Sequence, residues 1–430
     1  MTKVLAQEKK GGFEPLEPAL VRTLVGRIQE ILPLPGVVNA ILKAANDPYA
    51  NLSAVSDIIL KDQGMTAKVL KLINSAYYGL SQRVGTVSQA VSLLGLEKIK
   101  NLAMAVSLSQ GLFRWSDLPF GRKGMWHHSQ ACGVATSMLA QAAGHPSPEE
   151  ALIAGLLHDI AKALWGELFP ERFLAALQAV HDYGEEPLTA EKEFLSVPHP
   201  EVGAWMLEIW QLPEILQQAV LLHHQTKVDK LDDSVSFLSQ ALSIGNQMAK
   251  LLNLGNGGHY RLSPIPLAML NSLSLTAEQL VVQLMDLPQA FADFLRELEL
   301  ETHETATLNS LTALLRERPV VLLRGDEDPG PVSYFFAAFA HRIEALALKD
   351  WTGAVKEPGT VVVGEGNDPG EFLARWQQSP PPPRTSLLLF SYRDWGGRGP
   401  APGTVPEAHL LGPEWRLPEV IKALTPGKRG

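Results

Sequence analysis

Imidazole nitrogens and a carboxylate recur through the middle of this chain in an order that suits a divalent-cation pocket. They are His127 and His128, then His158 followed directly by Asp159, then His199, then the pair His223 and His224. These atom types are the ligands of borderline and hard divalent metals. Twelve histidines in 430 residues carry no message by number; their positions do. Met125, His128, Cys132, Ala135 and Leu139 form one helical stripe at alternating three- and four-residue spacing, which predicts His128 inward and His127 nearer solvent. His158 and Asp159 end the apolar run Ala154-Gly155-Leu156-Leu157, where a helix delivers polar groups into a core. Long gaps between the ligand types suit several helices converging on one pocket. An inward histidine is also the commonest form of hydrogen-bonded core residue, so residue types alone leave a metal pocket and a packed remnant both open.

Those side chains need helices to hold them. From about residue 21 to 316 apolar residues recur at helical spacing, as in Val55, Ile58 and Ile59, then Val69, Leu70, Leu72 and Ile73. Ser53 and Ser147 stand at N-cap positions, and Pro148 follows at the first helical place with Glu149 and Glu150 facing the positive helix end. Leu32-Pro33-Leu34-Pro35 reads as an extended lead into a helix at Gly36, and Gly95 as a helix end. After Arg318 the composition changes: residues 351–430 hold 12 Gly and 12 Pro, which disfavours long helices. Val320–Leu323, Thr360–Val363, Leu387–Phe390 and the weaker His409–Leu411 read as strands, with helices over Val332–Leu348, Pro369–Gln377 and Leu417–Leu424. Pro380–Pro383 reads as a stiff connector. The expected organisation is a loose lead-in over 1–20, a mostly α fold with an all-helical module over 21–316, and a small α/β domain over 317–430.

Composition narrows the partners. Lys and Arg total 37 against 46 Asp and Glu, a net charge of −9, so binding to nucleic acid through its phosphates is not expected. No apolar stretch approaches the ~18 residues of a membrane span. The start, MTKVLAQEKKGGFEPLEP, lacks the apolar core of a secretory signal, and the lone Cys132 fits a reducing cytoplasm, so the expected location is cytoplasmic.

The order H…HD…H…HH resembles the HD superfamily of metal-dependent phosphohydrolases. More closely, the chain resembles the HDOD domain, the HD-related output domain of bacterial signalling proteins. LPLPGVVNAILKAANDP, DQGMTAKVLKLINSAYYG, VSQAVSLLGLEKIKNLA, MWHHSQACGVA, EEALIAGLLHDIAK and HPEVGAWMLEIWQLPEILQQAVLLHH follow its pattern in order over roughly residues 20–255. The resemblance implies metal ligation by His128, His158, Asp159, His199, His223 and His224, with Lys162 stabilising phosphoryl charge and Asp159 bridging two metals in any active form. It also implies erosion. The final carboxylate of HD enzymes falls in LSQALSIGNQMAKLLNLG, where Asn246 stands, and an amide is a poorer ligand than a carboxylate. The HD-GYP branch has Glu after the HH pair, where this chain has Gln225. The resemblance therefore implies a regulatory protein acting through other signalling proteins or a nucleotide ligand rather than by catalysis. Since five imidazoles and one carboxylate face the four positive charges of two divalent cations, no stable pair of metals is expected without hydroxide or phosphate to neutralise them. The competing class is a metal-dependent phosphohydrolase of a nucleotide or cyclic nucleotide.

The C-terminal part resembles a degenerate response-regulator receiver. Asp326, Glu327 and Asp328 follow the first strand, Ser391 stands where LLLF as third strand would place the phosphoacceptor, and Gly412 precedes Pro413 where a lysine is usual. Phosphorylation as the switch is not expected.

Overall fold

The computed structural model describes residues 13–14, 16–45, 53–75, 82–111, 118, 121–225, 232–300, 306–316, 318–324, 331–340, 342–347, 360–365, 386–390, 408–411, 415–417 and 419–420. By backbone packing the chain divides into two units, one of residues 1–246, 255–258 and 287–303 and one of 247–254, 259–286 and 304–430. The composition break at residue 317 thus falls inside the second unit.

The first unit is helical, and its helices begin and end where local chemistry dictates. After Leu32-Pro33-Leu34-Pro35 the helix Gly36–Ala45 buries Val38, Ile41 and Leu42, a three- and four-residue stripe. Asp62 caps Gln63–Ile73 by accepting from Met65 N at 2.9 Å. Thr86 caps Val87–Leu94 through Gln89 N, while the Gln89 side chain reaches back to Gly85 N at 2.9 Å. Gly95 ends that helix at φ 88°, a backbone that favours glycine. Ser147 occupies the N-cap of Pro148–Leu157, but its hydroxyl makes no cap bond. Trp165 and Trp210 are core side chains, and Trp205 is half-buried beneath the Arg22 guanidinium, 5.0 Å from its ring centre.

The second unit carries a parallel sheet of five strands, β1 Pro319–Arg324, β2 Arg342–Ala347, β3 Val361–Glu365, β4 Ser386–Phe390 and β5 Ala408–Leu411, in the order β2-β1-β3-β4-β5. Leu322–Leu323 and Val361–Val363 are buried at consecutive positions, as strands covered on both faces require, and Val320 is buried as well. Four of these strands are the expected apolar runs. The fifth corrects the sequence reading: the helix expected over Val332–Leu348 stops at Phe339, and Arg342–Ala347 pairs in parallel with β1, Pro319 opposite Arg342. An edge strand is buried less than a central one, so Ile343 stays exposed and the run lacks a strand's apolar continuity. Recovering β2 makes Val361–Glu365 the third strand, so Ser391 follows the fourth and is not at a third-strand end. Asp326–Asp328, Pro369–Gln377, Pro380–Pro383, Ser391, Gly412 and Pro413 lie outside the described residues; Leu417, Glu419 and Val420 are helical.

Candidate metal centre

Two glycines set the site's geometry. The helix Arg122–Ala142 is buried on every side from Ser129 to Ala140, and Pro148–Leu157 crosses it with backbone touching backbone. A Cβ added at Gly155 would stand 2.4 Å from Gly133 Cα. This contact brings the end of the second helix beside His128, so that the His128 and His158 ring centres lie 5.3 Å apart. Gly155→Ala is expected to force the helices apart and lower stability by about 1–3 kcal/mol, read by chemical denaturation; full parental stability would show that the contact carries no constraint. His127, expected nearer solvent, is buried as well, its ring edge-on to Phe291 at 6.2 Å. A helix enclosed on all sides has no solvent face for an amphipathic reading to find.

Asp159 stands at the centre. Its Oδ2 lies 2.7 Å from Lys162 Nζ, 3.3 Å from His158 Nε2 and 3.7 Å from His128 Nε2; its Oδ1 lies 3.2 Å from His199 Nε2. On the Oδ1 side, His199 Nε2 is 3.4 Å from His223 Nε2 and 3.1 Å from His224 Nε2. All six residues expected to ligate therefore converge, in two groups that could hold a metal ion: His128, His158 and Asp159, and His199, His223 and His224. All but the half-buried His224 are withdrawn from solvent. Asn246 is also buried, its Oδ1 without a hydrogen-bond partner among the described residues.

The outer hydrogen bonds assign the tautomers. His199 donates from Nδ1 to the Glu191 carboxylate at 2.7 and 2.9 Å, and His199 N donates to it at 2.8 Å. His223 donates from Nδ1 to Val220 O at 2.6 Å, and His158 from Nδ1 to Gly155 O at 2.8 Å. Each bond turns Nε2 toward the site with its lone pair available in the neutral ring. Glu191 is a residue that sequence reasoning missed. It precedes His199 by eight positions in no motif, and only the fold-back through Ser196–Pro198 brings it alongside.

The charges are unequal. Burial opposes a charge on His158, but Asp159 and Cys132 beside it outweigh that and hold its imidazolium up to about 10. Burial alone would raise Asp159; His158 and Lys162 instead keep it well below the usual carboxylate range. Burial, with His158 and His199 nearby, pushes His223 well below the ordinary histidine value, so it stands neutral.

A metal fits one half of this centre. Zinc–imidazole bonds of about 2.0–2.1 Å in a tetrahedron put ligand atoms about 3.4 Å apart. His199 Nε2 stands at about that spacing from the Nε2 atoms of His223 and His224, at 3.4 and 3.1 Å, and from Asp159 Oδ1, at 3.2 Å, and bare lone pairs facing each other at 3.4 Å are favourable only with a proton or cation between them. On the other half the Lys162 ammonium already sits against Oδ2, 2.7 Å away.

A second element closes over that half. Residues 255–258, Gly-Asn-Gly-Gly, lie against it: a Cβ at Gly257 would stand 2.7 Å from the His128 ring and 3.2 Å from Asp159 Oδ2. The loop is tied by Asn256 N to Gly124 O at 2.7 Å, by Lys162 Nζ to Gly257 O at 2.9 Å and by His181 Nε2 to Gly258 O at 2.9 Å. In the sequence it shows only as a glycine-rich turn signal.

Comparison with known proteins bears on the fold. Residues 31–226 match the model of the HDOD domain. An uncharacterized protein of Treponema pallidum is 26% identical over 265 residues, 60% of this chain and 49% of its own length; protein YuxH of Bacillus subtilis is 23% identical over 36% of each. The chain therefore spans half or less of these curated relatives. Among solved structures, an HDOD domain protein of unknown function from Geobacter sulfurreducens is similar at TM-score 0.52 and 22% identity, over 65% of this chain and 99% of that one. At that identity the likeness speaks for the fold.

Proposed function

Residues 31–226 match the HDOD domain, and from that premise we propose that the protein is a signalling module that regulates by binding and does not turn over a substrate. The observation that carries this reading is the state of Asp159. The carboxylate that would bridge two metals is spoken for on one side by the Lys162 ammonium, beneath a loop that seals it. Water activation and phosphate capture at paired metals need an open coordination position there.

The reading allows one divalent cation, held by His199, His223, His224 and Asp159 Oδ1, with Glu191 orienting His199. Bound there, it would supply a tie between helices and a Lewis acid without a paired partner. Two divalent cations would bring four positive charges to a dry site already holding Lys162, against one carboxylate in direct contact. Output then rests on contacts with other signalling proteins, with a nucleotide as the small-molecule alternative; the net charge of −9 speaks against nucleic acid. No described helix is long and apolar enough to cross a membrane.

Elemental analysis after dialysis, paired with hydrolysis assays on nucleotides and cyclic dinucleotides, tests the proposal. The expected result is at most one metal equivalent and no turnover. Two equivalents, with turnover abolished by Asp159→Ala, would move the protein to the phosphohydrolases.

A further inference from the structure

Lys162 joins two things that are otherwise separate. One end of its bonding is the Asp159 carboxylate on the His128–His158 side, 2.7 Å away; the other is the carbonyl of Gly257 in the covering loop, 2.9 Å away. We propose that Lys162 is a latch: its ammonium occupies the place of a second divalent cation and, from that place, holds the Gly255–Gly258 loop shut. The inference deepens the reading above and rests on its one-cation site.

The reasoning is exclusion. A divalent cation ligated by His128, His158 and Asp159 Oδ2 would sit within a few ångströms of Nζ, in a site withdrawn from water. Two like charges there repel strongly, because little solvent screens them. Either the cation stays out or Lys162 withdraws. If Lys162 withdraws, Gly257 O loses its donor, while the bonds of the loop to Gly124 and His181 remain. Three glycines in four residues give that loop few side chains of its own to anchor it, and Gly255 at φ 80° holds a backbone conformation that favours glycine. Loading of the second position and closure of the loop therefore oppose each other, and the coupling is reciprocal: whatever lifts the loop favours the second cation. The site has a closed form with Lys162 on Asp159 and an open form in which His128, His158 and Asp159 become accessible to a cation and its anionic ligand.

Hydrogen exchange followed by mass spectrometry, with metal content measured on the same samples after incubation with Mn²⁺, tests the latch on the full chain. In the parent the amides of the 255–258 loop should be protected, with no more than one Mn²⁺ bound. Lys162→Met keeps the length and removes the charge. It is expected to speed exchange in the loop at least ten-fold and to add a second Mn²⁺ equivalent. Gly257→Ala works from the other side, since its Cβ would meet the His128 ring. It should speed loop exchange and, by the reciprocal coupling, tighten Mn²⁺ binding at the second position, though less than Lys162→Met because Lys162 keeps its charge; it serves as the test if Lys162→Met does not fold. Unchanged loop protection in Lys162→Met overturns the latch whatever the metal content, and so does faster loop exchange in Gly257→Ala with no gain in Mn²⁺ binding. A parent and variants that bind no Mn²⁺ at all overturn the one-cation reading instead, while loop exchange in Lys162→Met still decides the latch.

Discussion

Asp159→Ala is expected to lower the unfolding free energy by about 3–5 kcal/mol, the range for removing one partner of a buried ion pair. The mechanism is the charge left behind. Lys162 Nζ would keep only the Gly257 carbonyl, and His158, whose proton is held by the Asp159 carboxylate, would have to lose it or remain a buried cation. Replacing both partners, as Asp159→Ala with Lys162→Met, is expected to recover most of the loss, because a double-mutant cycle returns the coupling between residues in direct contact. Denaturant unfolding of the four proteins measures this. A single-variant cost below about 1 kcal/mol, or a double variant that simply adds the two costs, would show that water reaches Lys162 and that the pair is not a buried one.

The second large effect lies in the other unit. Trp415 is fully buried, with Phe335, Phe390 and Phe336 around it at ring-centre distances of 5.3, 5.9 and 6.5 Å. Its indole donates to Leu251 O at 2.7 Å and its backbone N donates to Tyr260 O at 3.0 Å. One residue thereby ties its own segment, the helix Pro331–Phe339, β4 and the segment around residues 251–260. Trp415→Ala should cost about 3–5 kcal/mol, the range for truncating a buried tryptophan. Trp415→Phe keeps most of the packing and orphans the Leu251 carbonyl, a loss of about 1–3 kcal/mol. Equal losses for the two variants would mean that the hydrogen bond, not the aromatic cluster, holds the unit. A fragment ending near Arg316 lacks Trp415 and is expected to lose the same anchor.

How much of this was legible in advance differs by element. The helix Gly36–Ala45 and the strand Val361–Glu365 announce themselves through residues a few positions apart, because amphipathic period and β-branched runs are local properties. β2 did not, since Arg342–Ala347 lies at an edge, where only part of the strand needs to be apolar. His127 was misread for the opposite reason: its helix is enclosed, so the periodicity that separates inside from outside carries no contrast.

The sequence by itself determined the ligand types and their order, His128, His158-Asp159, His199, His223-His224, and the helical class of the segments that carry them. Which atoms meet was decided only in three dimensions. Glu191 reaches His199 through a chain reversal, Lys162 meets Gly257 from a distant stretch, and Gly133 meets Gly155 because neither has a Cβ. The physical reason is the range of the forces involved. Helix formation is settled over a few residues, whereas the partner of a buried charge is chosen by whichever groups the packed core leaves within about 3 Å of it. Asp159 was readable as a ligand; that its counter-cation is Lys162, held under a glycine loop, belongs to the tertiary structure alone.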